Sequence, residues 1–239
     1  FSKYNLVILC TGSNFFLKGG IANYPGLKFS YEETAVTATI SHKICDNIVA
    51  RQIFLDNEII AFLPISNSKT SIIWSVKNEG IKAKSKSYLK KKIKYFSKFF
   101  FKNIKFSSNI EYRDLNLFLQ KEYFRNRFLL FGDALHVVHP FAGQGFNMIL
   151  RDLYSLSNIL KRKLSLGLDI GSSDVLKEFS NETKPRNFVY SMSIDFLKKI
   201  FSYKKTYFNK FRVSSIKNIN KSNFLKEIIY DFADKGLKF

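Results

Sequence analysis

The sequence holds two cysteines, one tryptophan, four prolines and three histidines in 239 residues. Cys10 and Cys45 lie far apart and in no metal-like spacing, which excludes a disulfide framework and a zinc ribbon and fits a reducing compartment such as the cytoplasm. Long apolar runs are also missing. Residues 59–65 and 128–131 are strand-sized, well short of the roughly 18 residues a membrane-spanning helix needs. The chain starts at Phe1, and the apolar stretch 5–9 follows without a basic flank or a small-residue cleavage site, so no signal peptide is read and the start reads as a cut through a domain. Acidic residues are scarce, 19 against 39 Lys and Arg, giving a formal charge of +20. Lysine dominates, alongside abundant Phe, Ile and Asn, as AT-rich coding would produce. Nucleic acid is therefore not expected as a partner, and the partners left open are a membrane surface or a protein complex.

What is present supports a sizeable core: 46% of the residues are hydrophobic. Residues 4–12 read as a buried parallel strand ending in a polar turn at 11–14, because a short apolar run bounded by turn residues suits a sheet covered on both faces. Four strand-like runs follow at 34–40, 50–54, 58–65 and 70–76, with turns at Asp56-Asn57 and Ser66-Asn67-Ser68, and predict an antiparallel sheet. Residues 82–101 interleave lysine with Ile and Phe, the pattern of an amphipathic helix with a wet lysine face. A strand near 115–119, a strand at 127–131, a glycine-bearing loop and a helix from 144 to about 164 come next. From Ser173 the pattern is helical, with breaks expected near Pro185 and at 214–223. The fold class is α+β.

The informative stretch is Gly132-Asp-Ala-Leu-His-Val-Val-His-Pro-Phe-Ala-Gly-Gln-Gly-Phe-Asn-Met-Ile-Leu-Arg-Asp152. A carboxylate at the end of a buried strand, here Asp133, can accept hydrogen bonds from the hydroxyls of a sugar-like ligand. Gly143 and Gly145 let the backbone approach a ligand and open a helix whose first amides lack intrahelical partners and carry the positive dipole end. Such an end prefers an anion, and reduced flavin develops negative charge on its pyrimidine ring.

This stretch resembles the second flavin-binding motif of the group A flavoprotein monooxygenases: Gly-Asp-Ala-Ala-His, then His-Pro, then Gly-Gln-Gly-x-Asn and a following Asp. Leu135 replaces the second alanine; every other position matches. The likeness is greatest to the ubiquinone-biosynthesis hydroxylases, because residues 31–40, 50–65, 71–76 and 167–171 also resemble that family, in the same order. The resemblance implies a p-hydroxybenzoate hydroxylase-like fold with the α/β FAD-binding part at 1–30 and 121–172, an inserted antiparallel substrate sheet at 31–120, and carboxyl-terminal helices at 173–239. It implies FAD as cofactor, with NAD(P)H as reductant, and hydroxylation of a polyprenylated phenol or quinone precursor through a flavin C4a-hydroperoxide. Asp133 would hold the ribityl chain beside Gly132, and Pro140 would lie by the isoalloxazine ring. The amides of Phe146 and Asn147, reached through Gly143, Gln144 and Gly145, would bind the pyrimidine edge. No side chain is assigned as acid or base.

The family's Gly-x-Gly-x-x-Gly turn for the ADP half of FAD has no counterpart in this sequence and is expected upstream, so the isolated chain is expected to retain FAD poorly. Thr11-Gly12 also stands where the family carries Asp-Gly. The alternative is a non-catalytic relative, a membrane-surface or complex-forming subunit that no longer binds flavin; a flavin reductase or halogenase on the same scaffold is a third reading. His136 and His139 are not read as metal ligands, since Val137, Val138 and Pro140 argue against a helix there and no metal is expected. His42 is read as a strand-end surface residue, and Trp74 as core rather than pocket. The lysine- and aromatic-rich tail, 196–239, is read as lying on an anionic bilayer or packing on the domain.

Overall fold

A computed structural model describes residues 3–12, 26–55, 58–82, 85–202, 214 and 217–235. The chain divides into two compact units. One comprises Phe1–Phe29, Asn116–Ile200 and Thr206–Phe239; the other comprises Ser30–Leu115 with the short stretch Phe201–Lys205. The Asp56-Asn57 turn, residues 13 and 14 of the first polar turn and residues 203–213, 215–216 and 236–239 of the 196–239 tail fall outside the described residues.

The second unit is built on antiparallel strands β2 (Leu27–Ser41), β3 (Arg51–Leu55), β4 (Glu58–Ser66) and β5 (Lys69–Lys77), hydrogen-bonded in the order β2-β5-β4-β3. β6 (Lys105–Phe106) pairs with β2, and β7 (Glu111–Leu119) is the other neighbour of β2. Side chains alternate across a strand, so one parity of residues must be apolar to face a core. Here the even positions Val36, Ile40, Ile60, Phe62, Ile72 and Trp74 are buried together, with Trp74 set between Val36 and Ile60 by the register. The core reading of Trp74 holds.

The helix expected over 82–101 is present but shorter, and another short helix precedes it. α1 (Asn78–Lys82) is short, and α2 (Lys86–Ser97) begins afresh because the Ser85 hydroxyl accepts from the Tyr88 amide and satisfies an otherwise orphaned donor. Leu89, Ile93 and Ser97 recur every fourth residue and are the buried stripe, of which Leu89 and Ile93 join the core cluster of the sheet; Lys90, Lys91 and Lys94 lie on the wet side.

In the first unit, β1 (Val7–Leu9) pairs in parallel with β9 (Phe128–Leu130), which pairs antiparallel with β8 (Phe124–Arg125). β1 is shorter than the 4–12 reading and is not covered on both faces: among the described residues it is an edge strand, and Ile8 is exposed. α3 (Gln144–Ser165) and α4 (Ser173–Ser202) supply Leu156, Ile159, Leu176 and Phe179 to a core with Leu129, Leu130 and Leu135. α5 (Asn223–Lys235) follows.

The break expected at Pro185 does not occur, as α4 runs through it. Proline lacks the amide that would bond four residues back, but Asn181 at that position is exposed and its carbonyl can turn to water. His42 is likewise not a surface residue. It is buried, its ring stacks on Phe101 at 4.1 Å, and its Nε2 lies 3.0 Å from the Thr70 hydroxyl. Its position at the strand end suggested exposure; the aromatic turn that folds back over it removes it from solvent.

Candidate functional site: a glycine-framed loop over a buried carboxylate

β9 carries its ladder one residue further, since the Phe131 amide donates to the Leu9 carbonyl at 3.0 Å. The chain then has to turn. Gly132 adopts φ 67°, a left-handed conformation that costs a side-chain-bearing residue about 1–2 kcal/mol, and opens a single tight helical turn, Gly132–Ala134. The Leu135 amide closes it on the Gly132 carbonyl at 2.8 Å. Asp133 projects from this turn into solvent while Gly132, Ala134 and Leu135 are buried. The turn packs against α3: a Cβ added at Gly132 would come to 4.0 Å from Ile149 Cδ1.

β10 (His136–Val137) follows, pairing with Leu119 and Phe118 of β7, so the two histidines lie on a strand and loop rather than a helix. No group of residues able to hold a metal occurs among the described residues. Pro140 then starts a second tight turn, Phe141–Gly143, closed by the Gly143 amide on the Pro140 carbonyl at 3.1 Å. Gly143 has φ 66° and stands as the residue before α3, with no side-chain cap and no acidic residue in the helix's first turn. The leading amides of a 22-residue helix are thus left to an external acceptor. A Cβ on Gly143 would meet nothing within 4 Å, so this glycine is demanded by its backbone angle; one on Gly145 would make only ordinary contact with Val138 at 3.6 Å. Gln144 and Asn147 bond to each other at 3.4 Å, and Phe146 is exposed beside them.

The loop therefore presents an exposed carboxylate at a strand end, a proline turn, and an uncapped helix start. A ribityl chain needs acceptors, and a pyrimidine ring that becomes negative on reduction needs donors, so this donor and acceptor set fits flavin.

Beneath the loop lies a polar cluster, of which the sequence reading matched His136 and Asp152 to the motif without giving either a role. Asp152 of α3 is fully buried; one carboxylate oxygen lies 2.7 Å from His136 Nε2, and the Asn187 amide of α4 donates to both oxygens at 2.9 and 3.1 Å. Asn187 also reaches the Tyr123 hydroxyl at 3.3 Å, and Arg186 donates to Ser155 at 3.0 Å while standing 3.7 Å from Asp152. Burial drives the Tyr123 phenol well above the usual range, the Asn187 hydrogen bond partly opposing it. The cluster ties β10, α3 and α4 together under the glycine turns. A signal was present: Asp152 falls on the same helical stripe as Met148, Leu156 and Ile159, an acidic residue where an apolar one belongs.

The profile of a protein family described as FAD binding domain matches residues 42–187. A ubiquinone biosynthesis monooxygenase COQ6, mitochondrial, from Xenopus tropicalis is 27% identical over 96% of this chain and 57% of that protein. Ubiquinone hydroxylase UbiL from Rhodospirillum rubrum is 30% identical over 72% of this chain and 41% of its own length. The chain spans about half the length of the curated relatives it matches. Among solved structures, p-nitrophenol 4-monooxygenase PnpA from Pseudomonas putida superposes with a TM-score of 0.76 at 14% identity, over 98% of this chain and 60% of that one, which establishes a shared fold. The family match covers well over half of the residues and includes the strand, both glycine turns and most of the helices just described, and on that ground the chain belongs to the FAD binding domain family.

Proposed function

We propose that the chain forms the flavin-ring part of an FAD-dependent monooxygenase that hydroxylates the aromatic ring of a ubiquinone precursor. The observation that carries this is the loop 132–147: an exposed Asp133 at the end of β9 and the uncapped start of α3 behind a left-handed Gly143. When bound, FAD supplies the oxygen chemistry. The residues of the chain bind and orient it: the Asp133 carboxylate accepts from ribityl hydroxyls, Pro140 bounds one side of the ring, and the first-turn amides, including those of Phe146 and Asn147, donate to the pyrimidine edge. The network around Asp152 holds the loop in place from below. Residues 31–120 form the substrate domain, NAD(P)H is the reductant, and a polyprenylated phenol is the substrate, in keeping with the names of the ubiquinone biosynthesis monooxygenase COQ6 and ubiquinone hydroxylase UbiL relatives.

A second reading, a relative that has lost flavin binding, is favoured by Thr11, where the resembling family has an acid. One experiment separates the two. The purified protein is supplied with FAD, NADH or NADPH, and a short-chain prenylated phenol, and the product is analysed by mass spectrometry. Gain of one oxygen atom, abolished by Asp133→Ala, supports the monooxygenase. With FAD in large excess, so that poor retention by the isolated chain is not limiting, absence of both flavin binding and oxygen transfer supports the second reading.

A further inference from the structure

The second unit has an apolar tip at the loop 42–50. The loop 42–50 has no regular secondary structure but is fastened at four points. The His42 amide donates to Ser68 O at 2.9 Å, the Cys45 amide to Asn67 O at 3.0 Å, and the Lys43 amide to Lys102 O at 2.9 Å. Asn47 is buried and its side-chain amide donates to Ser66 O, Lys69 O and Thr70 Oγ1 at 2.8 to 3.1 Å. These bonds bring together the loop, the β4–β5 hairpin and the turn after α2.

A loop so fastened is not free to fold its apolar side chains inward. Ile44 is 76% exposed, Ile48 75% and Val49 52%, with Ile65 of the hairpin and Phe99 of the turn 57% and 65% exposed. Scattered exposed apolar residues are ordinary, but these five fall on three segments that hydrogen bonds hold together. Lys43, Lys69, Lys98, Lys102 and Lys105 are all exposed on the same segments, against a single acid, Asp46.

We propose that this tip is a docking surface for an anionic bilayer: the aliphatic side chains enter the acyl boundary and the lysines meet lipid phosphates. The charge decides the occupant. Two copies of the tip would set lysine against lysine, which opposes a self-complementary dimer. Nucleic acid would use the lysines but gain nothing from Ile44, Ile48 and Val49.

The test is cosedimentation of the purified protein with vesicles of phosphatidylcholine, with and without phosphatidylglycerol. Binding is expected on the anionic vesicles and to fall with salt. Lys98→Gln with Lys102→Gln should weaken it ~30-fold, from about 1 kcal/mol per lysine. Ile44→Ser with Ile48→Ser should weaken it by about tenfold or more, in keeping with loss of buried apolar area. Trp74, the one native tryptophan, is fully buried, so the emission of an Ile48→Trp variant should shift to the blue only when vesicles are added. Unchanged binding by either double variant, or equal binding to neutral vesicles, overturns the proposal. So does nucleic-acid binding that the lysine variant loses and the isoleucine variant keeps in the absence of any vesicle binding, or a dimer in sedimentation that the isoleucine variant dissolves. The surface does not depend on the redox reading: vesicle binding without oxygen transfer would sink only the latter, and oxygen transfer without vesicle binding only the former.

Discussion

Replacing Asp152 tests whether the buried cluster or the glycine turns alone hold the flavin loop. In Asp152→Ala the His136 Nε2 and the Asn187 amide both lose their acceptor at a site sealed from water. Each orphaned group costs about 1–3 kcal/mol, and removing one side of a buried pair typically costs about 3–5 kcal/mol in total. Relief of the buried charge offsets part of this, so about 3 kcal/mol is expected. Asp152→Asn keeps the shape and one acceptor, and should cost about half as much. Urea unfolding must be followed by far-UV circular dichroism, because Trp74 reports on the second unit while Asp152 lies in the first. With a slope of about 1–3 kcal/mol per molar urea, the Ala variant should lower the midpoint by at least about 1 M. Flavin affinity should fall alongside, as β10 is no longer pinned between the two turns. If both variants unfold within about 0.5 kcal/mol of the parent, the range of ordinary surface substitutions, the cluster does not support the loop.

Asp133→Asn, at an exposed position, should leave stability unchanged within about 0.5 kcal/mol while weakening FAD binding about tenfold or more, since a charge-assisted hydrogen bond is worth about 1.5–3 kcal/mol; flavin fluorescence titration measures it. Gly143→Ala meets no neighbour, so its cost should be confined to the left-handed backbone, about 1 kcal/mol, read from the thermal midpoint. Pro185→Ala should restore the missing hydrogen bond in α4 and raise the midpoint. The Arg127 guanidinium, bonded to both oxygens of Asp169 at 2.9 and 2.5 Å, holds that carboxyl below the usual range, with the Gly171 amide assisting. A lowered carboxyl contributes stability that is present above about pH 4 and lost as pH falls through its folded value, so Asp169→Asn should flatten the acid limb of midpoint against pH and leave the neutral region alone.

The strand–turn–helix of the flavin loop was legible because its cues are local: Gly132 and Gly143 sit where the backbone turns left-handed, and Gln144 begins a strongly periodic run. The alternation at 34–40, 58–65 and 70–76 marked the sheet for the same reason. What escaped depends on long-range contacts. His42 is buried by an aromatic turn 59 residues further on, and Asp152 is satisfied by Asn187 from another helix. Pro185 carries a strong local breaking signal that the packing of α4 overrides. The fastening of the 42–50 loop rests on Asn47, whose partners lie beyond β3 and in the hairpin, and nothing near it in sequence announces them.

The pairing of Val7–Leu9 with Phe128–Leu130 sets an order on biosynthesis. β1 leaves the ribosome long before β9, the strand it pairs with among the described residues, which is translated more than a hundred residues later. The stretch Ser30–Leu115, the greater part of the second compact unit, is synthesised in between. Nascent chain bearing Leu6, Val7, Ile8 and Leu9 is thus a natural client for chaperones that shield apolar segments, and a pause in translation before Leu130 would prolong that exposure.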